Sequence, residues 1–279
     1  EKLEEWVKTL FSDVPNRETL ASRDWISSVP YDASWKRSFY ISPISERRRL
    51  MLFFPMPPIQ PFYRTKPAQL ISHLIGHEGP GSLLAVLKEL GYASELSAGP
   101  SLSLANSCLF AVSVVLTEEG VPSWYRVMQI VFHFIHLLRK SEFQERYPLW
   151  LEIKKIHDFN FQYKSKDRED VQSENMAHSM HYFPPEEVLC ANELFFEEFD
   201  EDQNFRINHI LDNFLKSSNM RIHLTCPENE LPQNFLDGQE LSPPSPSPPS
   251  DPSSDPTFWV EKYFGTRYKV REHNSTWVS

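Results

Sequence analysis

The chain has 279 residues, 40% of them apolar and 13% aromatic, enough to bury a sizeable core in one large domain or two small ones. A formal net charge of -10 argues against a nucleic-acid binder and is compatible with basic peptide partners. The three cysteines, Cys108, Cys190 and Cys226, form neither a metal pattern nor a disulfide framework; this favours a reducing, cytoplasmic compartment, and no apolar run reaches membrane-spanning length.

At the N-terminus, Leu3, Trp6, Val7, Leu10 and Phe11 fall on one helical face. "EKLEEWVKTLF" reads neither as a signal peptide nor as a natural start, so the expectation is a fragment of a longer chain. "SDVPN" is a turn, and a loop with Pro30 and Pro43 follows. "RRRLMLFFP" (47–55) has the character of a buried strand, and "PMPPIQP" is expected to be extended. A helix is predicted from Pro67 to Leu90, broken or bent by "GPG" at 79–81 and stopped by Gly91. "YASELSAGP" and "SCLFAVSVVLT" are strands. In "TEEG" (117–120), Thr117 reads as a cap with acids in the first turn after it.

Helices are predicted from Pro122 to Lys140 and from Arg146 through Asn160. "HYFPPEEVLCANELFFEEFD" reads as a turn and a short helix, "FRINHILDNFL" as a helix and "NMRIHLTCP" as a strand. Residues 228–256, rich in Pro, Ser and Asp, are expected to be a flexible insertion, and "TFWVEKYFGTRYKV" restores order. The fold class implied is α+β, an antiparallel sheet with helices packed on one face.

His73 and His77 stand at i and i+4, a spacing that suits two zinc ligands. The peptidase motifs, however, place a glutamate between the histidines, where it polarises the metal-bound water. Here Glu78 follows His77, and "HSMH" (178–181) has no glutamate between its histidines. Both pairs therefore read as structural. In "GHEGPGS", Gly76, Gly79 and Gly81 permit close backbone approach, and Glu78 can meet a cation or stand as an exposed carboxylate on a glycine kink. The acids from Glu186 to Asp202 are a solvated face or a docking site for basic peptides.

"ISHLIGHEGPGSLLAVLKELGYASELSAG" closely resembles the second domain of the insulysin and nardilysin type of M16 zinc metallopeptidases. "LFSDVPN", the strand before "PMPPIQPFY", "VVLTEEG", "HYFPPEEVL" and "YFGTRY" recur in that family in the same order. The resemblance implies that residues 1–18 end an upstream catalytic-type domain. Residues 22–279 would form the second, inactive M16 domain, with 228–256 inserted. It implies no catalytic or metal-binding residue here, since zinc would be held by H-x-x-E-H in the absent upstream domain. This chain alone would then be inactive. The implied partners are peptide substrates and the remaining domains of the same protease, with no nucleic acid and no membrane.

The resemblance also implies an exosite for the substrate N-terminus at Gly76, Glu78, Leu96, Ala98 and Gly99, with Pro100 next to them. This chain has Leu96-Ser97-Ala98-Gly99 where insulysin carries Gly-Gly after Leu-Val, and Pro100 where a polar residue is usual. The alternative is a degenerate M16-fold interaction module with no peptidase activity.

Overall fold

The structure is a computed structural model that describes residues 2–15, 17, 31, 35–235 and 258–272. Among the described residues seven strands form one sheet: β1 (Arg37–Ser42), β2 (Arg49–Met56), β3 (Ala93–Ser103), β4 (Cys108–Leu116), β5 (Arg221–Thr225), β6 (Trp259–Val260) and β7 (Arg267–Glu272). Their order is β3-β4-β2-β5-β1-β7-β6. All neighbours pair antiparallel except β1 with β5. Parallel neighbours need a long crossover, here nearly the whole chain between Ser42 and Arg221.

Alternation along the strands decides which face is the core. Leu50 lies opposite Val114 and Leu224, Leu52 opposite Val112 and Ile222, and Phe54 opposite Phe110, all fully buried. Against this face pack α2 (Pro67–Gly76), α3 (Leu83–Glu89), α4 (Trp124–Lys140), α5 (Phe143–Gln162) and α7 (Glu201–Asn213). They contribute Ile71, Leu84, Val131, Trp150 and Ile207 to the same apolar cluster. Met51 and Phe53, on the other face, are outside it. The expected α+β layering, with helices on one face, is therefore the observed one. The first helix, α1 (Lys2–Phe11), buries none of its residues among those described.

The break expected at 79–81 within the 67–90 helix is found: the chain turns through 77–82 and restarts with Ser82 Oγ accepting from Ala85 N (3.1 Å). Several other expectations are corrected. "PMPPIQP" is not extended throughout: Gln60–Phe62 is a 3-10 turn, which the fixed φ of Pro61 suits. β1 lies where a loop was expected, since its pairing with β5 and β7 is wholly long-range.

No helix forms in 181–200; α6 (Glu169–Ser179) ends just before it. Side-chain ties hold 181–200 instead. Tyr63 Oη donates to Glu187 (2.6 Å), Arg64 pairs with Glu187, and Lys66 Nζ donates to the Ala191 carbonyl (2.5 Å).

The segment expected to be flexible from Glu228 is ordered through its first eight residues. Phe235 is fully buried against Trp124, with ring centroids 5.0 Å apart, and Trp124 Nε1 donates to Asn234 Oδ1 (3.0 Å). Arg48 pairs with Glu230 (2.5 Å). Residues 236–256, and the domain boundary expected at 18–22, lie outside the described residues.

Deleting 228–256 would thus remove a core anchor. Phe235→Ala should cost about 3 kcal/mol or more in urea unfolding, because it leaves a cavity beside Trp124. A loss under about 0.5 kcal/mol would mean that this segment is not packed as described.

His223 projects from the face opposite the helices, between Phe39 (5.0 Å) and Phe53 (4.9 Å). Its Nε2 is buried with no hydrogen-bond partner among the described residues. Burial, with the Arg221 charge adding to it, pushes its pKa down to about 4. In the unfolded chain an imidazole takes its proton near pH 6.5. The unfolded state therefore binds the proton first, and native stability falls as pH drops from about 6.5 towards about 4, by at most about 3 kcal/mol. His223→Phe, which keeps the ring stack, should flatten that part of the pH profile relative to the parent chain; identical profiles by chemical denaturation would refute this.

Candidate functional site

Pro67 opens α2 at its first turn, where its missing N–H costs nothing, and the helix ends at Gly76. His77 is already extended (φ -63, ψ 141), so it has left the helical face that carries His73. Its Nδ1 accepts from the Gly79 N–H (3.1 Å), which leaves the proton on Nε2. A Cβ at Gly79 would lie 2.5 Å from the His77 ring, so a side chain there would displace that ring from its hydrogen bond. The His73 and His77 ring centroids are 5.8 Å apart, and no group of three or more His, Cys, Asp or Glu among the described residues could hold a metal. Burial, then the neighbouring His77, lowers the His73 pKa; Glu152 opposes this and His157 adds to it.

The turn after α2 borders a cavity of 430 Å³. Gly76, His77 and Glu78 form one side, Leu96, Ser97 and Ala98 of β3 a second, and Ile153, Ile156 and His157 of α5 a third. Gln69, Ser72 and His73 complete it from α2. Glu78 is exposed and makes no hydrogen bond or ion pair among the described residues. β3 is the last strand of the sheet, so one backbone edge has no strand partner among them.

Of the residues implied at the sequence level, Gly76, Glu78, Leu96 and Ala98 therefore border one cavity. Gly99 does not line it. Gly99 has φ +152, and a Cβ there would meet Ser72 Oγ at 3.1 Å; its lack of a side chain lets β3 lie against α2. Pro100 lines a neighbouring, larger cleft.

Sequence reasoning missed the α5 wall. Ile153 and His157 sit on a helix with no signal tying it to α2, and only packing brings them there. The His157 ring is set by its Nδ1, 2.8 Å from the Glu193 carbonyl, so Nδ1 carries the proton.

The model of the peptidase M16 inactive domain matches residues 1–147, and that of the middle or third domain of peptidase M16 matches residues 161–279. The chain belongs to the M16 peptidase family. Human nardilysin is 27% identical over 281 residues, covering 99% of this chain and 22% of its own length. Human insulin-degrading enzyme is 34% identical over 219 residues, covering 77% of this chain and 20% of its own. The crystal structure of pitrilysin superposes with a TM-score of 0.77 at 22% identity, over 99% of this chain and 26% of that one. The M16 chain thus spans about a fifth to a quarter of the length of these relatives. Its two matched stretches share one core: the apolar cluster joins Leu52, Phe110 and Val131 to Phe199, Ile207 and Leu224. No helix among the described residues is long and apolar enough to cross a membrane.

The histidine geometry yields a direct expectation. The purified chain, incubated with equimolar zinc and gel-filtered, should retain far less than one zinc per chain by metal analysis. One zinc retained per chain, lost on His73→Ala, would overturn this reading of the pair.

Proposed function

We propose that this chain is the non-catalytic part of an insulysin- or nardilysin-like zinc endopeptidase, lining its chamber and holding the N-terminus of a peptide substrate. Residues 1–18 end an upstream catalytic-type domain in this proposal, and residues from 22 onward form the substrate-holding part. Zinc and the catalytic groups are supplied by the parent enzyme outside this chain. The three cysteines are free, which suits a reducing, cytoplasmic setting.

The observation that carries the reading is a carboxylate that, among the described residues, has no partner and stands beside a strand edge with no strand paired to it. Glu78 stands free at the mouth of a cavity whose next wall is β3. A carboxylate accepts a charge-assisted hydrogen bond from a peptide's α-amino group. A strand edge takes the following residues by backbone pairing. Leu96 and Ala98 put that edge within the same cavity as Glu78.

Glu78→Gln keeps the shape and removes the charge. A short peptide with a free N-terminus should bind the variant about tenfold or more weakly, as expected for a charge-assisted hydrogen bond of roughly 1.5–3 kcal/mol. The N-acetylated peptide should bind both proteins alike. Fluorescence anisotropy on the purified chain measures both, and equal losses for the two peptides would remove the anchor.

A further inference from the structure

The second cleft, of 1380 Å³, is bounded by the 56–63 loop, the start of α2, the end of the β3–β4 hairpin, His178 to Phe183 and α7. In a chain with 38 acidic residues and a net charge of -10, no carboxylate stands among the described residues lining it. Its basic lining groups are Lys66, Arg206, His178, His181 and His209, beside the phenols of Tyr63 and Tyr182. Glu187, outside the lining, pairs with Arg64 and Tyr63 Oη; Lys66 Nζ donates to the Tyr63 and Ala191 carbonyls, and Arg206 pairs with Asp202 through Nε and Nη2, so that its Nη1 is without a hydrogen bond among the described residues. Arg206 lies over the Phe62 ring, 5.0 Å from its centroid. Phe205 and Tyr182, also in the lining, are 67% and 47% exposed, so two large rings stand open at its rim. Basic groups on aromatic rings form a surface for acidic and aromatic side chains.

The cleft neighbours the Glu78 cavity. Gln69 lines both, and β3 runs from Leu96 and Ala98 in the first to Pro100 and Ser103 in the second. Pro100 has no N–H to offer an added strand, and the β3–β4 register shifts between Pro100 and Leu102. A peptide paired along the edge must therefore leave it there, at the mouth of the cleft. For a peptide running parallel to β3 from Leu96, one peptide residue per strand residue brings roughly its fifth residue to Pro100, and the few residues after it, off the edge, fall in the cleft.

We infer that this cleft is a second subsite, which takes an acidic and aromatic segment roughly five to eight residues from the N-terminus of an extended peptide. The inference rests on the reading of Glu78 as the anchor for the α-amino group. It assigns the peptide class: a free N-terminus followed, after a short spacer, by Asp or Glu beside Phe or Tyr.

The test uses the whole chain and two fluorescent decapeptides with free N-termini, one carrying Asp-Phe-Asp at its sixth to eighth residues and the other Ser-Ser-Ser. The first should bind roughly tenfold tighter, as stacking on open rings with added charge attraction predicts. Phe205→Ser, which truncates an exposed side chain, should abolish most of that preference and leave the Ser-Ser-Ser peptide unaffected; Arg206→Gln should reduce it. Equal affinities of the two peptides for the parent chain would overturn the subsite. So would a preference that Phe205→Ser leaves intact. N-acetylation and Glu78→Gln report separately on the anchor. If they weaken both peptides but no preference exists, the anchor stands and the subsite falls. If the preference and its dependence on Phe205 survive acetylation at undiminished affinity, the cleft stands as a peptide site and the anchor falls.

Discussion

The register between β2 and β4 is the constraint on which the rest depends. Leu50, Leu52, Phe54 and Met56 lie opposite Val114, Val112, Phe110 and Cys108, and all eight side chains face the helices. A slip of one residue would turn every one of them to the other face, so this register is strongly specified. β4 then sets β3 on its far side, with Leu96 opposite Val114 and Ala98 opposite Val112. That places the β3 edge beside the end of α2, where a Cβ on Gly76 would lie 3.7 Å from the Ala98 nitrogen. The Glu78 cavity thus inherits its geometry from the core pairing next to it in the sheet.

The helical layer is joined by a buried cation as well as by apolar packing. Arg146, fully buried in α5, donates to the Leu138 carbonyl (2.6 Å) at the end of α4, to Ser141 Oγ (2.9 Å) and to Asn204 Oδ1 (2.8 Å) on α7. Burial lowers its pKa, and three neutral acceptors each take one of its N–H groups. The residue lies in the first matched stretch and Asn204 in the second. The contact therefore crosses the boundary between the two family matches, as the shared apolar cluster does. Because α5 is held this way, Ile153 and His157 reach the cavity that α2 and β3 begin.

Charge is separated across the molecule in the same manner. The acids between Glu186 and Asp202 could be read as one solvated or docking face. In the fold several are spent on ties: Glu187 and Glu197 on Arg64, Glu193 on Lys164, and Asp202 on Arg206. What remains facing the larger cleft is basic and aromatic, the opposite of the chain's net balance.

Much of the fold was legible in the residues themselves. The apolar run of "RRRLMLFFP", the β-branched residues of "SCLFAVSVVLT", the glycine stop at Gly91, the break at 79–81 and the amphipathic run ending at Lys140 are local signals, and local signals survive in sequence. Gly76, Glu78, Leu96 and Ala98 could be named together only because they recur in a motif already known from other chains. Spacing alone left Glu78 as an exposed carboxylate on a glycine kink. What only the tertiary structure decided involves partners distant along the chain: β1, whose neighbours are β5 and β7; the anchoring of Phe235 on Trp124; the unwound 181–200 segment held by Tyr63, Arg64 and Lys66; and the departure of Gly99 and Pro100 from the cavity that Ala98 enters. Each depends on side chains that meet across scores of residues, and a window read along the chain contains no term for such a contact.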